Sequence, residues 1–193
     1  MIAPPGSSFF AMTPPRIPGL TILREWVTAS DEAAIMNRFG GAGERVSDTQ
    51  RNRIDRYGPG VVASGYSQGV VTTECLVVDV IPDELYEPRM RLVCDGYMKE
   101  PDAITINWFL TGQGVDRHVD RREAGEVIAV LSLQGDATME MGRWTPEREV
   151  RLFELPRRSL VLMRGEARWQ WEHAIMPVVA PRMSVVFRRA AAE

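Results

Sequence analysis

Histidine and cysteine are scarce in this sequence, which limits the metal sites and disulfides that it can form. The 193 residues include two histidines and two cysteines. Cys75 and Cys94 form no Cys-x-x-Cys pair, so we expect two buried, reduced thiols in a reducing compartment, with a disulfide as the alternative. A metal site that uses imidazole must therefore use His118, His173 or both.

Long apolar runs, a basic N-terminus and an excess of positive charge are also lacking. No apolar run approaches the ~18 residues of a membrane span, so we expect no membrane partner. The first basic residue is Arg16, so the N-terminus lacks the charged region of a signal peptide, and we expect a cytoplasmic or nuclear protein. The net charge of -3 gives no overall attraction for nucleic acid, so any such contact needs a local basic patch.

The length and composition are those of one soluble globular domain. Hydrophobic residues make up 45% of the chain and charged residues 25%, as in ordinary globular proteins. Five prolines among residues 1–19 predict a poorly structured or extended tail. We assign residues 20–193 to a single domain, which we expect to be a monomer.

Helices are predicted first and strands later. One helix should begin with Ser30 as its N-cap and end near Phe39, and a second should run from Pro82 to Cys94. Alternating apolar residues then predict strands at 103–110, 117–120, 126–134, 137–143, 149–154, 158–163 and 182–188. Short strands that follow helices favour an α+β or all-β core built as a two-sheet roll.

A candidate metal site begins at His118, which stands two residues before Asp120. In an extended segment these two side chains point to the same face. His173 could complete a set of two histidines and one carboxylate, the facial triad that binds non-haem Fe(II) and leaves positions open. On these residues alone, a surface aspartate with two unrelated histidines is an equal alternative.

A candidate anion site lies near the C-terminus, where two arginines flank an apolar run. With a period of two, Arg182, Ser184 and Arg188 share one face of a strand. Unpaired buried charge is costly, so this face needs anionic partners. A small dicarboxylate such as 2-oxoglutarate could supply one carboxylate to each arginine.

Four motifs together resemble the AlkB family of Fe(II)/2-oxoglutarate dioxygenases. They are Asn107-Trp108-Phe109, His118-x-Asp120, Gly165-Glu166-Ala167-Arg168 leading to His173-Ala174-Ile175, and Arg182-x-Ser184-x-x-x-Arg188. The resemblance implies Fe(II) on His118, Asp120 and His173. It also implies that 2-oxoglutarate is held at its C1 end by Asn107 and Arg188 and at its C5 carboxylate by Arg182, Ser184 and Phe109. Phe109 stands where the family has tyrosine, so one hydrogen bond to the cosubstrate should be missing.

The same resemblance implies a fold and an activity. The fold is a double-stranded β-helix (jelly roll) core with N-terminal helices and a substrate-recognition lid, for which residues 60–73 are the candidate hairpin. The activity is oxidative demethylation, in which O2 hydroxylates an N-methyl group and formaldehyde is released. The implied substrate is a methylated nucleic acid or a methylated protein.

Candidate substrate contacts lie just before the predicted lid. Residues 50–59 are similar to the branch of the family that contains the fourth human AlkB homologue. Arg53 and Arg56 could contact phosphates, and Tyr57 could stack on a base or pack against a methylated side chain. A solvated arginine cluster before a turn is the alternative.

Two other functions use the same residues. A zinc hydrolase could be built on the three candidate ligands, although hydrolysis needs no clamp for a buried dicarboxylate. A catalytically silent binding module could keep the fold, and Phe109 gives this reading slight support.

Overall fold

The structure is a computed structural model that describes residues 16–42, 53–60, 77–78, 80–145 and 148–190. All of the predicted lid hairpin after Gly60 lies outside these residues, as do Cys75 and the proline-rich segment before Arg16. The helices are α1 (Ala29–Phe39), α2 (Tyr86–Cys94) and α3 (Gly165–Trp169), with 3-10 turns at Asp83–Leu85 and Arg122–Ala124. The strands are β1 (Leu20–Leu23), β2 (Arg53–Tyr57), β3 (Val77–Val78), β4 (Ala103–Phe109), β5 (Val115–His118), β6 (Val127–Leu133), β7 (Ala137–Trp144), β8 (Arg148–Leu155), β9 (Leu160–Arg164), β10 (Glu172–Ile175) and β11 (Arg182–Arg188).

The strands form two sheets that pack as a jelly roll. The larger sheet has the order β1-β9-β6-β11-β4-β2-β3, and the smaller has the order β5-β10-β7-β8. Every pairing is antiparallel except that of β2 with β3. The predicted two-sheet β core is confirmed, and with it the double-stranded β-helix.

The core has two parts, one on each face of the larger sheet. One cluster lies between the sheets and includes Ile128, Val161 and Val186 from the larger sheet with Met139 and Met141 from the smaller. The other covers the outer face of the larger sheet and joins strand residues to side chains of α1 and α2. The larger sheet is therefore buried on both faces, and polar side chains that point between the sheets lie in a closed interior.

The side chains of strand β11 alternate between two faces, as the sequence predicted. It pairs with β4 on one side and β6 on the other, so it is central in its sheet. Met183, Val185 and Phe187 pack into the outer cluster beneath the helices. The alternate residues, including Arg182 and Arg188, point toward the smaller sheet, where they line a cavity.

The first helix begins two residues earlier than the sequence pattern indicated. Thr28 and not Ser30 is the N-cap of α1: its Oγ1 accepts from the Asp31 N–H at 3.1 Å, and the Asp31 carboxylate accepts from the Thr28 N–H at 2.9 Å. Both residues could cap a helix by type. The reciprocal pair of Thr28 with Asp31 decides between them, because it satisfies two backbone donors together.

Two other expectations need correction. The helix expected from Pro82 is a 3-10 turn followed by α2, which ends at Cys94. Cys94 was expected to be buried, but the end of α2 faces solvent and its thiol is exposed and free. Of the helices in the described ranges, none is long and apolar enough to cross a bilayer.

Candidate metal and cosubstrate site

Three side chains, from two neighbouring strands and the loop that follows one of them, converge on one point. β5 and β10 are antiparallel, and His118 stands directly opposite His173, with ring centroids 4.3 Å apart. Asp120 was expected to share the extended segment of His118, but β5 ends at His118 and Asp120 follows it in a loop. One ligand atom from each residue still lies within 4.8 Å of the others. This is the donor set and spacing of a facial triad for Fe(II).

The Asp120 carboxylate is buried but remains ionised. Arg188 Nη2 donates to its Oδ1 at 2.9 Å, and its Oδ2 lies 3.6 Å from His173 Nε2. Burial alone would raise the pKa of Asp120, but the charge of Arg188 and the two imidazoles outweigh it and hold the pKa well below its usual range. One oxygen is thus fixed by Arg188, and the other faces the two histidines.

Both imidazoles are prepared to bind a metal. Burial is the main cause that lowers the pKa of His173 to about 4, against the opposing charge of Asp120, so the ring is neutral at neutral pH. Neutral imidazole is the form that coordinates metal ions. His118 Nδ1 lies 2.9 Å from the Asp116 carbonyl oxygen, which places the proton on Nδ1 and leaves Nε2 for the metal.

A cavity of about 110 Å³ lies between the sheets beside the triad. It is lined by all five residues that the resemblance assigns to 2-oxoglutarate: Asn107, Phe109, Arg182, Ser184 and Arg188. The register explains the grouping, because Phe109 is opposite Arg182 and Asn107 is opposite Ser184 on adjacent strands. Apolar side chains such as Ile128 complete the wall and keep water out.

Arg182 gives this cavity its chemistry. It is fully buried, its Nη2 donates to Ser132 Oγ at 3.0 Å, and its Cζ lies 5.4 Å from the Phe109 ring centroid. No carboxylate of the described residues pairs with it, and its Nε has no hydrogen-bond partner there. Burial lowers the pKa of Arg182 to about 10. A buried cation without an acid fits the distal carboxylate of 2-oxoglutarate, which would form a bidentate pair with it.

Arg188 serves the metal end of the same cavity. A straight strand would place it about 20 Å from Arg182. Its side chain reaches toward the triad, where it donates to Thr105 Oγ1 at 3.0 Å and to Asp120. Arg182 and Arg188 therefore bound the cavity at opposite ends, which suits a molecule with two carboxylates.

Known proteins match the chain in both sequence and fold. A family model described as the 2OG-Fe(II) oxygenase superfamily matches residues 19–188. The chain belongs to that superfamily. It is an AlkB-like Fe(II)/2-oxoglutarate-dependent dioxygenase, with Fe(II) and 2-oxoglutarate as its cofactors, since the His118, Asp120 and His173 triad completes the evidence. The zinc-hydrolase and silent-module alternatives are set aside.

Curated relatives include enzymes that are much longer than this chain. The Xenopus tropicalis protein named tRNA (carboxymethyluridine(34)-5-O)-methyltransferase alkbh8 is 31% identical over 169 residues, which cover 86% of this chain and 26% of that protein. The uncharacterized protein L905 of Acanthamoeba polyphaga mimivirus is 28% identical and is matched over 82% of this chain and 73% of its own length. The chain thus spans about a quarter of the length of the ALKBH8 relatives that it matches.

Solved structures agree on the fold. OsALKBH1 superposes with a TM-score of 0.58 at 15% identity, covering 90% of this chain and 99% of the other. A prolyl-4-hydroxylase from Pseudomonas putida gives a TM-score of 0.58 at 16% identity, with coverage of 90% and 94%. These likenesses support the jelly roll alone.

A larger cleft of about 710 Å³ opens beside the triad and is lined by His118 and Asp120. His118, Asp120, Asn107 and Arg188 line both spaces, so the triad lies at their junction. Other polar residues that line the cleft are Arg56, Thr105, Gln113, Asp116, Arg117 and Arg121. The cleft is where a substrate can approach a bound metal.

The three predicted substrate contacts do not come together. Side chains of β2 alternate, so Arg56 lines the cleft, while Arg53 and Tyr57 line a separate pocket on the other face. Tyr57 is 7% exposed and packs 5.8 Å from the Phe39 ring. Arg53 pairs with Asp55 at 3.2 Å. Arg45 and Arg51, from the same basic region, lie outside the described residues.

Three site residues were not singled out for their roles by sequence reasoning. Ser132 accepts from Arg182, but it looks like an ordinary small residue in an apolar strand. Thr105 accepts from Arg188, and its signal was its place on the same strand face as Asn107. Arg168 holds the loop of the metal carboxylate, and its signal was its place in a family motif.

Proposed function

We propose that this dioxygenase removes N-methyl groups from a methylated nucleic acid. The observation that carries the proposal is the arginine-bearing cleft that opens directly onto the triad. A chain with a net charge of -3 needs a local basic surface to bind phosphates, and the cleft supplies one in Arg56 and Arg121. The ALKBH8 relatives are named as tRNA enzymes, which supports nucleic acid over protein.

The chain's own residues bind and orient the reactants. His118, Asp120 and His173 would hold the iron, while Arg182 and Arg188 would hold the two ends of 2-oxoglutarate. When bound, Fe(II) and 2-oxoglutarate supply the oxidation, in which one oxygen atom of O2 enters succinate, with release of CO2, and the other enters the substrate as hydroxyl. The apolar wall of the cavity shields this chemistry from water.

The product follows from where the hydroxyl is placed. On an N-methyl carbon, hydroxylation gives an N-hydroxymethyl group. The C–N bond of that group then breaks, the nitrogen takes the hydroxyl proton, and formaldehyde leaves. A stable hydroxylated product would form instead if the attacked carbon were not bonded to nitrogen.

The deciding experiment compares methylated oligonucleotides with methyl-lysine peptides in parallel. We expect formaldehyde, succinate and loss of the methyl group with an oligonucleotide and not with the peptides. His118→Ala and His173→Ala should abolish the iron-dependent turnover without unfolding the domain. Asp95→Asn is the control, because Asp95 is exposed at the end of α2 and lines neither the cleft nor the cavity.

A second pair of variants tests the cleft. Arg56→Gln should raise the KM for the oligonucleotide and leave substrate-free conversion of 2-oxoglutarate to succinate unchanged. Arg53→Gln is the control, because it changes the same residue type on the same strand but on the other face. Demethylation of the peptides alone would contradict the proposed nucleic-acid substrate. A product that gains oxygen and keeps its methyl carbon would contradict demethylation.

A further inference from the structure

The loop that carries the metal carboxylate lacks the support of a strand. β5 ends at His118, two residues before Asp120, so the ladder that fixes His118 against His173 does not extend to Asp120. The chain next forms a 3-10 turn at Arg122–Ala124 before β6 begins. Something other than strand pairing must therefore hold the main chain of Asp120 beside the two histidines.

Arg168 holds the main chain of this loop through hydrogen bonds. Its Nη1 donates to the Asp120 carbonyl at 3.0 Å, its Nη2 to the Arg121 carbonyl at 2.6 Å, and its Nε to the Gly125 carbonyl at 3.2 Å. The residue is 2% exposed. All three donor nitrogens of one planar guanidinium thus donate to backbone carbonyls of one loop.

We propose that Arg168 is a positioning residue that fixes the Asp120 loop relative to the His173 strand. Arg168 lies on α3, five residues before His173, so its side chain joins the segment of the third ligand to the segment of the second. A neighbouring contact joins the same segments, because Trp169 Nε1 donates to Glu126 at 3.3 Å. The Arg168 guanidinium lies 4.1 Å from the Trp169 ring centroid, which restricts its orientation further.

The chemistry of this contact requires arginine. Lysine has a single nitrogen and cannot reach three carbonyls in a plane. A neutral side chain would remove one donor from each of the three carbonyls, of which that of Arg121 would keep the Ala124 N–H at 3.1 Å, and the loop would be held less firmly. The Asp120 carboxylate would move with it, away from the point where it meets His118 and His173.

The expected effect is specific to the metal. The groups assigned to 2-oxoglutarate lie on β4 and β11 of the larger sheet, whereas the three carbonyls that accept from Arg168 belong to the Asp120 loop. Loss of Arg168 should therefore weaken metal binding and lower kcat at limiting iron. It should leave the KM for 2-oxoglutarate near the parent value when iron is saturating. This holds whichever substrate the enzyme takes.

The test measures Mn(II) affinity by electron paramagnetic resonance, without turnover, in Arg168→Met and Arg168→Lys. We expect Arg168→Met to bind Mn(II) about 10–100-fold more weakly, the usual range for groups that orient ligands. Arg168→Lys should recover part of the loss by binding one carbonyl. Arg89→Met is the matched control, because Arg89 Nε also donates to a backbone carbonyl, that of Pro101 at 2.8 Å, outside the metal site.

Three results would overturn the proposal. One is Mn(II) affinity in Arg168→Met equal to that of the parent. Another is an equal loss of affinity in Arg89→Met, which would assign the effect to general destabilisation. The third is failure of both Arg168 variants to fold while Arg89→Met folds, which would make Arg168 a residue of the fold and not of the metal site.

Discussion

At the scale of one residue, Arg182 is the group that we propose to bind the distal carboxylate of 2-oxoglutarate. Its burial is tolerable because a hydroxyl and an aromatic ring surround it and a carboxylate can enter. Arg182→Lys keeps the charge but loses the planar fork, and charged hydrogen bonds contribute roughly 1.5–3 kcal/mol. We expect the KM for 2-oxoglutarate to rise about 10–100-fold, with Mn(II) affinity almost unchanged, as measured by succinate formation and metal titration.

Arg188→Lys separates the two arginines, because Arg188 also holds the metal carboxylate. This variant should lose both 2-oxoglutarate affinity and metal affinity. If Arg182→Lys and Arg188→Lys both match the parent at limiting 2-oxoglutarate, neither arginine binds the cosubstrate, although the triad could still bind iron.

Phe109 offers the opposite experiment, a gain of function. Its ring is 1% exposed, lines the cavity and lies beside Arg182, where the family has tyrosine. Phe109→Tyr should add a hydrogen bond to the distal carboxylate and thereby lower the KM for 2-oxoglutarate. The added bond contributes at most roughly 3 kcal/mol to the binding free energy. An unchanged or higher KM would show that another donor already serves that oxygen or that the hydroxyl does not fit.

The site residues that could be predicted from the sequence are those with an unusual residue type at a recognisable spacing. His118 stands a short interval from Asp120, His173 is the other histidine of the chain, and Arg182 and Arg188 place charge in an apolar strand. Ser132 gave no such signal, because its role depends on β6 pairing with β11, and that register follows from the whole sheet. Long-range pairing of this kind has no local trace in the sequence.

At the scale of elements, the cap of α1 is a direct test of the local structure. Thr28→Ala removes one half of the reciprocal pair with Asp31 and should reduce the free energy of unfolding by about 1 kcal/mol. Ser30→Ala should change it by less than about 0.5 kcal/mol, since Ser30 lies within the helix and is exposed. Urea denaturation of the parent and the two variants measures both changes. A larger loss of stability in Ser30→Ala than in Thr28→Ala would show that Ser30 is the N-cap.

Most strands were predicted from alternation, and β10 was not. The strands predicted at 103–110 and 182–188 match β4 and β11 to within one residue. β10 is only four residues long and places Glu172 and His173 beside Ala174 and Ile175, without clear alternation. It is a strand because β5 and β7 pair with it on both sides. In the sequence, only His173 therefore indicated that this segment belongs to the metal site.

At the scale of the whole molecule, a negative protein with a few arginines in one cleft should bind nucleic acid weakly and locally. Two phosphate contacts, from Arg56 and Arg121, predict a slope of about -1.4 in a plot of log affinity against log salt for a single strand. Arg56→Gln should reduce the magnitude of this slope by about 0.7. Fluorescence anisotropy with a methylated oligonucleotide measures it, and a slope several times steeper would require a larger basic surface than the cleft provides.

The extent of the domain remains a prediction. Residues 1–19 were assigned to a tail, and those before Arg16 lie outside the described residues. Ile17 is 2% exposed and packs in the cluster between the sheets, so the packed part of the chain begins before β1. The resemblance of residues 50–59 to one branch of the family also remains a prediction.

Arg188 binds Asp120 and also lines the cavity that we propose for 2-oxoglutarate, so in this proposal the enzyme's two small cofactors share one guanidinium. Thermodynamic reciprocity then requires that iron change the affinity for 2-oxoglutarate by the same factor as 2-oxoglutarate changes the affinity for iron. Couplings of this kind are typically about 1–3 kcal/mol. Where this coupling is favourable, a rise in 2-oxoglutarate in a cell short of iron would load more of this enzyme with metal, so that its activity would report the two supplies jointly rather than either one.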